Sequence, residues 1–278
     1  RAMALPVNAT HGQRIWYWCL RAICTLGFVF LLGPIIIVIP ISFSSSSFLS
    51  YPLPGLSTRW YEAVLEPFPW MFAVENSIIV AVATTIIATI LGTLAAYGLT
   101  RADFPGKALI FGLLISPLAV PLVITALGLY FFFARIGLVQ THIGLIVAHV
   151  VLATPFVVIT VSATLKGFDW NLVRAAESLG ASPLGAFFQV TLPLIMPGVL
   201  AGAIFAFVTS LDEIVVALFL SGPAQPTLPR QLFTGLRDQL DPSIVAIASM
   251  LIAVSVTILI IVEFLHWRND RLQSKRYE

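Results

Sequence analysis

The sequence predicts an all-α membrane protein of six transmembrane helices with both termini cytoplasmic, and three observations carry that expectation. The first is composition: of 278 residues, 59% are hydrophobic and 10% charged, and the mean hydropathy is +0.98. Soluble domains carry about 25% charged residues, so most of this surface faces lipid. The second is a set of six apolar stretches, near 22–42, 73–100, 108–134, 141–165, 194–220 and 243–267. Each has the roughly 20 residues that a membrane helix needs. The third is the placement of Lys and Arg, which favour cytoplasmic segments. Arg1, Arg14, Arg21, Arg101, Lys107, Lys166, Arg174, Arg268, Arg271, Lys275 and Arg276 fall in one set of segments, and Arg59, Arg135, Arg230 and Arg237 in the other. Eleven of the fifteen basic residues thus place both termini and the 166–193 loop on the cytoplasmic side.

Taken in order, the first stretch reads as a retained span, since no small-residue cleavage site follows it. Cys19 and Cys24 stand at its start. Their spacing suits neither a metal site nor a disulfide framework, so they are expected as small buried hydrophobes. The longest break, 43–72, runs from Ser44 to Ser47 into Tyr51 and Pro52. Pro34, Pro40, Pro117, Pro121 and Pro155 lie inside spans, where neighbouring groups must re-satisfy the freed backbone. Gly92, Ala95 and Ala96 fit close helix–helix approach. His142 and His149 lie seven apart on the fourth span and could share a face, but no third ligand is near in sequence, so no metal site is expected. Glu263 sits within reach of headgroups or Arg268. With no short repeat and no linker, residues 1–278 read as one membrane domain.

The 166–193 loop is the most informative segment. Asp169 can cap a helix beginning at Trp170. Leu172, Ala175, Ala176 and Leu179 fall at i, i+3, i+4 and i+7, an apolar stripe on one face. Two of its members are alanines, so a partner backbone can come close. Gly180 suits a left-handed helix end, Ser182 and Pro183 allow a second start, and Pro193 and Pro197 bound the next span. A helix lying passively on the membrane surface would show a similar pattern, but it usually has larger apolar anchors and more basic residues.

Ala175 and Ala176 followed by Gly180, then after nine residues by Val190, and closed by Leu192 and Pro193, resemble the cytoplasmic coupling loop of ABC-importer permeases. Arg174 stands where that family usually has Glu, and Val190 where it has Ile. The likeness extends over residues 40–265, to the permease subunits of polyamine-type importers. It is carried by Thr58-Arg59-Trp60-Tyr61, Leu165-Lys166-Gly167-Phe168-Asp169 and Ser210-Leu211-Asp212-Glu213-Ile214-Val215-Val216. The resemblance implies a bacterial inner-membrane, multi-pass type I importer in which two permease subunits, here expected to be different chains, pair above two ATPase subunits. A periplasmic binding protein would deliver the solute. It further implies that Arg174, Ala175, Ala176, Glu177, Gly180, Ala181, Ser182 and Pro183 meet the ATPase. The chain has no Gly-x-x-x-x-Gly-Lys-Ser/Thr sequence, so ATP and Mg belong to the partner and this chain binds no cofactor of its own. No nucleic-acid partner is expected.

Asp212 and Glu213 lie fifteen to twenty residues beyond Pro193 and Pro197, roughly 22–30 Å along a helix. An acid at the centre of a span costs about 2.5–3.5 kcal/mol, so unpaired exposure to lipid is disfavoured. Successive helical positions point about 100° apart, so one acid can line a path while the other meets a neighbouring helix. Either could instead serve packing alone, through a hydrogen bond or a salt bridge such as one to Arg237. The resemblance supports Asp212 as the acid that meets an ammonium group. Polyamine permeases often read Ser-Pro-Asp in the third span, whereas here Ser116 and Pro117 are followed by Leu118, which suits a substrate with one amine. Trp60 and Tyr61 could receive a cation on their rings or anchor the chain at the headgroups.

These observations favour a transport subunit over an enzyme, because no nucleophile–base set or carboxylate dyad is present. The expected substrate is a polyamine such as putrescine or spermidine, with another amine or amino-acid-like solute as the alternative. An ion-coupled secondary transporter would show inverted repeats with paired broken helices, and no matching halves are visible.

Overall fold

The computed structural model describes residues 10–238 and 242–274, and apart from one antiparallel bridge, Ser44 to Leu56, every regular element among them is helical. In chain order the helices are α1 (His11–Ser42), α2 (Arg59–Leu65), α3 (Phe72–Arg101), α4 (Lys107–Ile115), α5 (Leu122–Ile136), α6 (His142–Lys166), α7 (Asn171–Ser178), α8 (Pro183–Ala186), α9 (Leu192–Asp212), α10 (Val215–Leu220), α11 (Leu228–Asp238) and α12 (Ser243–Ser274). They group into two compact units, residues 67–234 and the remainder on either side.

Within residues 67–234, α3, α6 and α9 pack on one another around Ala88, Ala96, Ala153, Val157, Val161, Ile195 and Ala206. Missing side chains allow this. A Cβ on Gly92 would lie 2.6 Å from the Cβ of Val157, and one on Gly202 only 3.0 Å from the Cα of the same residue. Dispersion and close backbone approach replace the hydrophobic drive that lipid removes. Thr154, Thr160 and Thr164 donate their hydroxyls to carbonyls one turn back, at 2.7, 3.0 and 3.0 Å, which satisfies polar groups without water. A second core, including Phe133, Leu145, Ala148, Val216 and Leu220, ties α5 and α10 to α6.

Among the described residues, four helical runs are long and apolar enough to cross a bilayer: α1, residues 67–101, α6 and residues 183–212. A fifth is counted only if α4 and α5, bent by 100°, form one broken span, and α12 has an apolar run over Ser243–Thr257. The expected continuous span 108–134 is therefore corrected to two pieces. Pro117 and Pro121 supply no N–H, so α4 ends in a tight turn over Ser116–Leu118 and α5 starts afresh after Pro121. The first helix begins at His11 rather than near 22, because Thr10 forms a capping box with Gln13. The fifth stretch is corrected at both ends. Its helix starts at Pro183, inside the expected loop, passes through a widened turn at Phe187–Thr191 ahead of Pro193, and stops at Asp212. The proline ring crowds the carbonyl four residues back, and a widened turn relieves it.

In the other unit, α12 packs against α1 and α2. Cys19 and Cys24 are free and exposed, not buried as expected. Residues 18–32 of α1 are exposed on every face, so apolar character there marks a surface rather than a core. Arg1, Lys275, Arg276 and the side chains of Glu263, Arg268 and Arg271 lie outside the described residues.

Candidate functional site

Asp212 closes α9, and Glu213 follows it in extended backbone (φ −73°, ψ 118°). The two acids are thus not successive positions of one helix, as the sequence suggested. Glu213 is buried, with 6% exposure. Its Oε1 accepts the Val215 N–H at 3.0 Å, and its Oε2 accepts those of Val216 and Ala217 at 2.8 and 3.2 Å. These are the donors that a helix start leaves without partners, so Glu213 caps α10 and ends α9 in one stroke. Asp212 remains exposed.

Both acids border an open cleft of about 530 Å³. One wall is the bend between α4 and α5, at Pro117 and Leu118. A second is Leu152 and Phe156 of α6, and a third is Val208, Thr209 and Asp212 of α9. With Glu213 committed to backbone donors, Asp212 presents the free carboxyl to an otherwise apolar cleft. A cation there would meet one free, solvent-reachable acid among largely apolar walls.

Next to this wall, His149 is 1% exposed and its Nδ1 lies 2.8 Å from Ser210 Oγ, joining α6 to α9. Its Nε2 is buried without a hydrogen-bond partner. His142 instead meets Asn76 Oδ1 at 2.9 Å through Nε2. The two histidines serve different helix pairs, and the described residues contain no group of His, Cys, Asp and Glu placed to hold a metal. Trp60 and Tyr61 belong to the other unit. The Arg59 guanidinium lies 4.4 Å above the Trp60 ring, whose Nε1 donates to Ser46 O at 3.2 Å. Tyr61 Oη and Ser42 Oγ are 2.6 Å apart.

The 166–193 loop folds as its local signals imply. Asp169 accepts the Asn171 N–H at 2.9 Å, one residue further on than expected. At the other end Gly180 has φ +93°, its N–H reaches Glu177 O and that of Ala181 reaches Ala176 O, each at 3.0 Å, which is a Schellman termination. Ser182 caps α8 by accepting the Gly185 N–H at 3.1 Å, with Pro183 at the first helical position. Leu172, Arg174, Ala175 and Leu179 point outward, Leu179 with 90% exposure, while Ala176 and Glu177 are half-buried. Val173, off the stripe, is the residue that anchors α7 inward at 2% exposure. Tyr97 and Arg101 of α3, which the sequence did not single out, meet this loop. Their spacing of four on one helix was the available signal.

A bundle of apolar helices long enough to cross a bilayer, with a short amphipathic helix between α6 and α9 and an open cleft, is the architecture of a membrane-embedded protein. Residues 88–274 match the family described as the binding-protein-dependent transport system inner membrane component, and the chain belongs to that family. It is accordingly a multi-pass inner-membrane transport subunit and not an enzyme, as the sequence resemblance implied. Over 237 residues, 83% of this chain and 84% of the relative, it is 36% identical to the putrescine transport system permease protein PotI of Escherichia coli (strain K12). Over 233 residues, 84% of this chain and 88% of the relative, it is 33% identical to the spermidine/putrescine transport system permease protein PotC of the same organism. A chain from the crystal structure of a bacterial ABC transporter that imports alginate superposes with a TM-score of 0.78 at 16% identity, covering 93% of this chain and 99% of that one. A chain from the alginate transporter in complex with a pentasaccharide-bound periplasmic protein gives 0.66 at 15% identity, covering 90% and 93%. At these identities the likeness to the solved structures is one of fold.

Proposed function

We propose that this chain is one of two permease subunits of an ATP-driven importer and forms half of the translocation path for a polyamine such as putrescine or spermidine. The two Escherichia coli relatives support the substrate class. The observation that carries the proposal is the exposed Asp212 carboxyl in an apolar cleft whose second acid is already bonded. In this reading Asp212 attracts an ammonium group, Glu213 holds the end of α9 that presents it, and Trp60 and Tyr61 belong to the outer approach. The whole chain works as one transmembrane domain of six spans with cytoplasmic termini, supported by the eleven-to-four distribution of basic residues.

The outward stripe of α7 is the ATPase-facing surface. Arg174, Ala175, Ala176, Glu177, Gly180, Ala181, Ser182 and Pro183 form the docking segment, and the left-handed turn at Gly180 sets the angle between α7 and α8. ATP and Mg act on two partner ATPase subunits, whose closure moves this segment and rocks the spans between inward-open and outward-open states. A periplasmic binding protein supplies the solute, in the manner of the alginate transporter crystallised with its own periplasmic protein. The other permease subunit is a different chain, because Arg174 gives this loop a charge opposite to the Glu of the usual motif.

A second reading, import of another amine or amino-acid-like solute, is favoured by Leu118, which puts an apolar side chain on the cleft wall with Asp212. The test is uptake of labelled putrescine and spermidine by cells lacking the gene, complemented with the wild-type chain or Asp212→Asn, with amino-acid competitors. The proposal expects uptake to be restored by the wild-type chain and apparent KM to rise about three- to tenfold in the variant, the range for losing one partly screened charge pair. Polyamine uptake indifferent to the gene, with loss of a different amine's uptake, would replace the first reading by the second.

A further inference from the structure

The docking loop is covalently continuous with α6 and α9, and side chains of α3 also reach it. Tyr97 lies with its ring centroid 5.9 Å from that of Trp170, just before α7, and 4.9 Å from that of Phe187, just after α8. One ring thus touches both flanks of the docking segment. One turn further along α3, Arg101 donates to Tyr97 Oη through Nη1 and to Glu177 Oε1 through Nη2, the latter at 3.3 Å across 76 residues of chain. The same guanidinium lies 5.7 Å from the Tyr97 ring centre. Val173 fills the space beneath α7.

We infer that Tyr97 and Arg101 form a clamp that transmits movement of the docking helix to α3, with Arg101 and Glu177 as positioning residues rather than ATPase contacts. The inference rests on the docking reading of the loop and changes one part of it. Glu177, a half-buried member of the docking segment, faces its own chain, so the α7 surface left to the ATPase is Leu172, Arg174, Ala175 and Leu179, continued by the turn from Gly180 to Pro183. The physical case is geometric. A docking segment held at both flanks by one aromatic ring, and near the C-terminal end of α7 by an ion pair, tilts against the ring's own helix. Helix α3 in turn packs along both α6 and α9, and its far end bonds His142 through Asn76 and the Leu228 N–H through Ser77, at 2.9 and 2.7 Å. A displacement entering at Glu177 therefore reaches the opposite end of the bundle along one continuous element.

The experiment uses the complete importer in proteoliposomes and measures substrate moved per ATP hydrolysed, together with the ATPase retained on purification through this chain. Three variants are compared: Arg101→Gln, the charge exchange Arg101→Glu with Glu177→Arg, and Gly180→Trp as a probe of docking itself. An ion pair of this exposure is worth up to about fivefold in an equilibrium. The clamp predicts that Arg101→Gln retains the ATPase and moves about three- to fivefold less substrate per ATP, and that the exchange recovers most of that loss. Wild-type transport per ATP in Arg101→Gln would overturn the clamp, as would an exchange variant no better than Arg101→Gln. Loss of ATPase on purification of Arg101→Gln would also overturn it, by placing the pair in the docking surface. Gly180→Trp separates the two levels: if that variant still couples normally, the docking reading itself fails, whereas coupling lost there but intact in Arg101→Gln removes only the clamp.

Discussion

Replacing Glu213 discriminates between a path residue and a cap because alanine and glutamine should behave very differently. In Glu213→Ala the N–H groups of Val215, Val216 and Ala217 lose their acceptor. The bonds to Val216 and Ala217 are buried, and each orphaned donor costs about 1–3 kcal/mol. The bond to Val215 is only partly buried, so water entering the cleft can replace it. The sum is about 2–6 kcal/mol, a large share of the roughly 5–15 kcal/mol by which a domain is stable. Glu213→Gln keeps one oxygen, which can accept from both Val216 and Ala217, and forfeits only the partly buried bond, about 1 kcal/mol. Thermal unfolding in a single detergent, with membrane yield as a second readout, should rank wild type, Gln and Ala in descending order, with Ala well separated from the other two. Transport by the Gln variant should stay near normal at matched expression. A Glu213→Ala protein as stable as wild type, or a Gln variant that is stable but cannot transport, would refute the capping role and return Glu213 to the path.

Two further substitutions test the packing that holds the cleft. Gly92→Val would force a Cβ to 2.6 Å from Val157, and overpacking of this kind costs about 1–3 kcal/mol. A lowered melting temperature, partly regained by pairing it with Val157→Ala, is the expected outcome, and no change would mean that α3 and α6 approach less closely than described. Ser210→Ala removes the one hydrogen-bond partner of a His149 whose other nitrogen already lacks one. It should destabilise by about 1–3 kcal/mol, read as a shift in the same melt, whereas Ser210→Thr, which keeps the hydroxyl, should recover part of it.

Much of the 166–193 loop was legible because its determinants are local. Gly180 ends α7 left-handed, Ser182 and Pro183 start α8, and Asp169 offers its carboxyl to the first turn, all within four residues of the groups they serve. The apolar runs were legible for the same reason, since hydropathy accumulates residue by residue. Of the expected stripe, Leu172, Ala175 and Leu179 lie outward, Ala176 is half-buried, and Leu179 falls just past the end of α7. That Leu172 and Leu179 stay exposed while Val173 is buried depends on what lies beneath, and that is not local.

By itself the sequence determined an all-helical membrane chain, the position of the short helices in the 166–193 loop and the presence of two adjacent acids, because backbone preferences and hydrophobicity act over a few residues. Where α9 stops decided which acid is free, and the hydropathy pattern, which runs on through residue 220, does not mark that point. Glu213 is consumed by three N–H groups that become available only because α9 stops at Asp212. Tertiary structure turned one expected span into two halves bent by 100° at Pro117 and Pro121, making Leu118 a wall of the cleft that Asp212 lines. It paired Arg101 with Glu177 across 76 residues and His149 with Ser210 across 61. Pairings at that separation depend on how α3, α6 and α9 settle against one another. That register is set by where missing side chains such as those of Gly92 and Gly202 let the backbones meet.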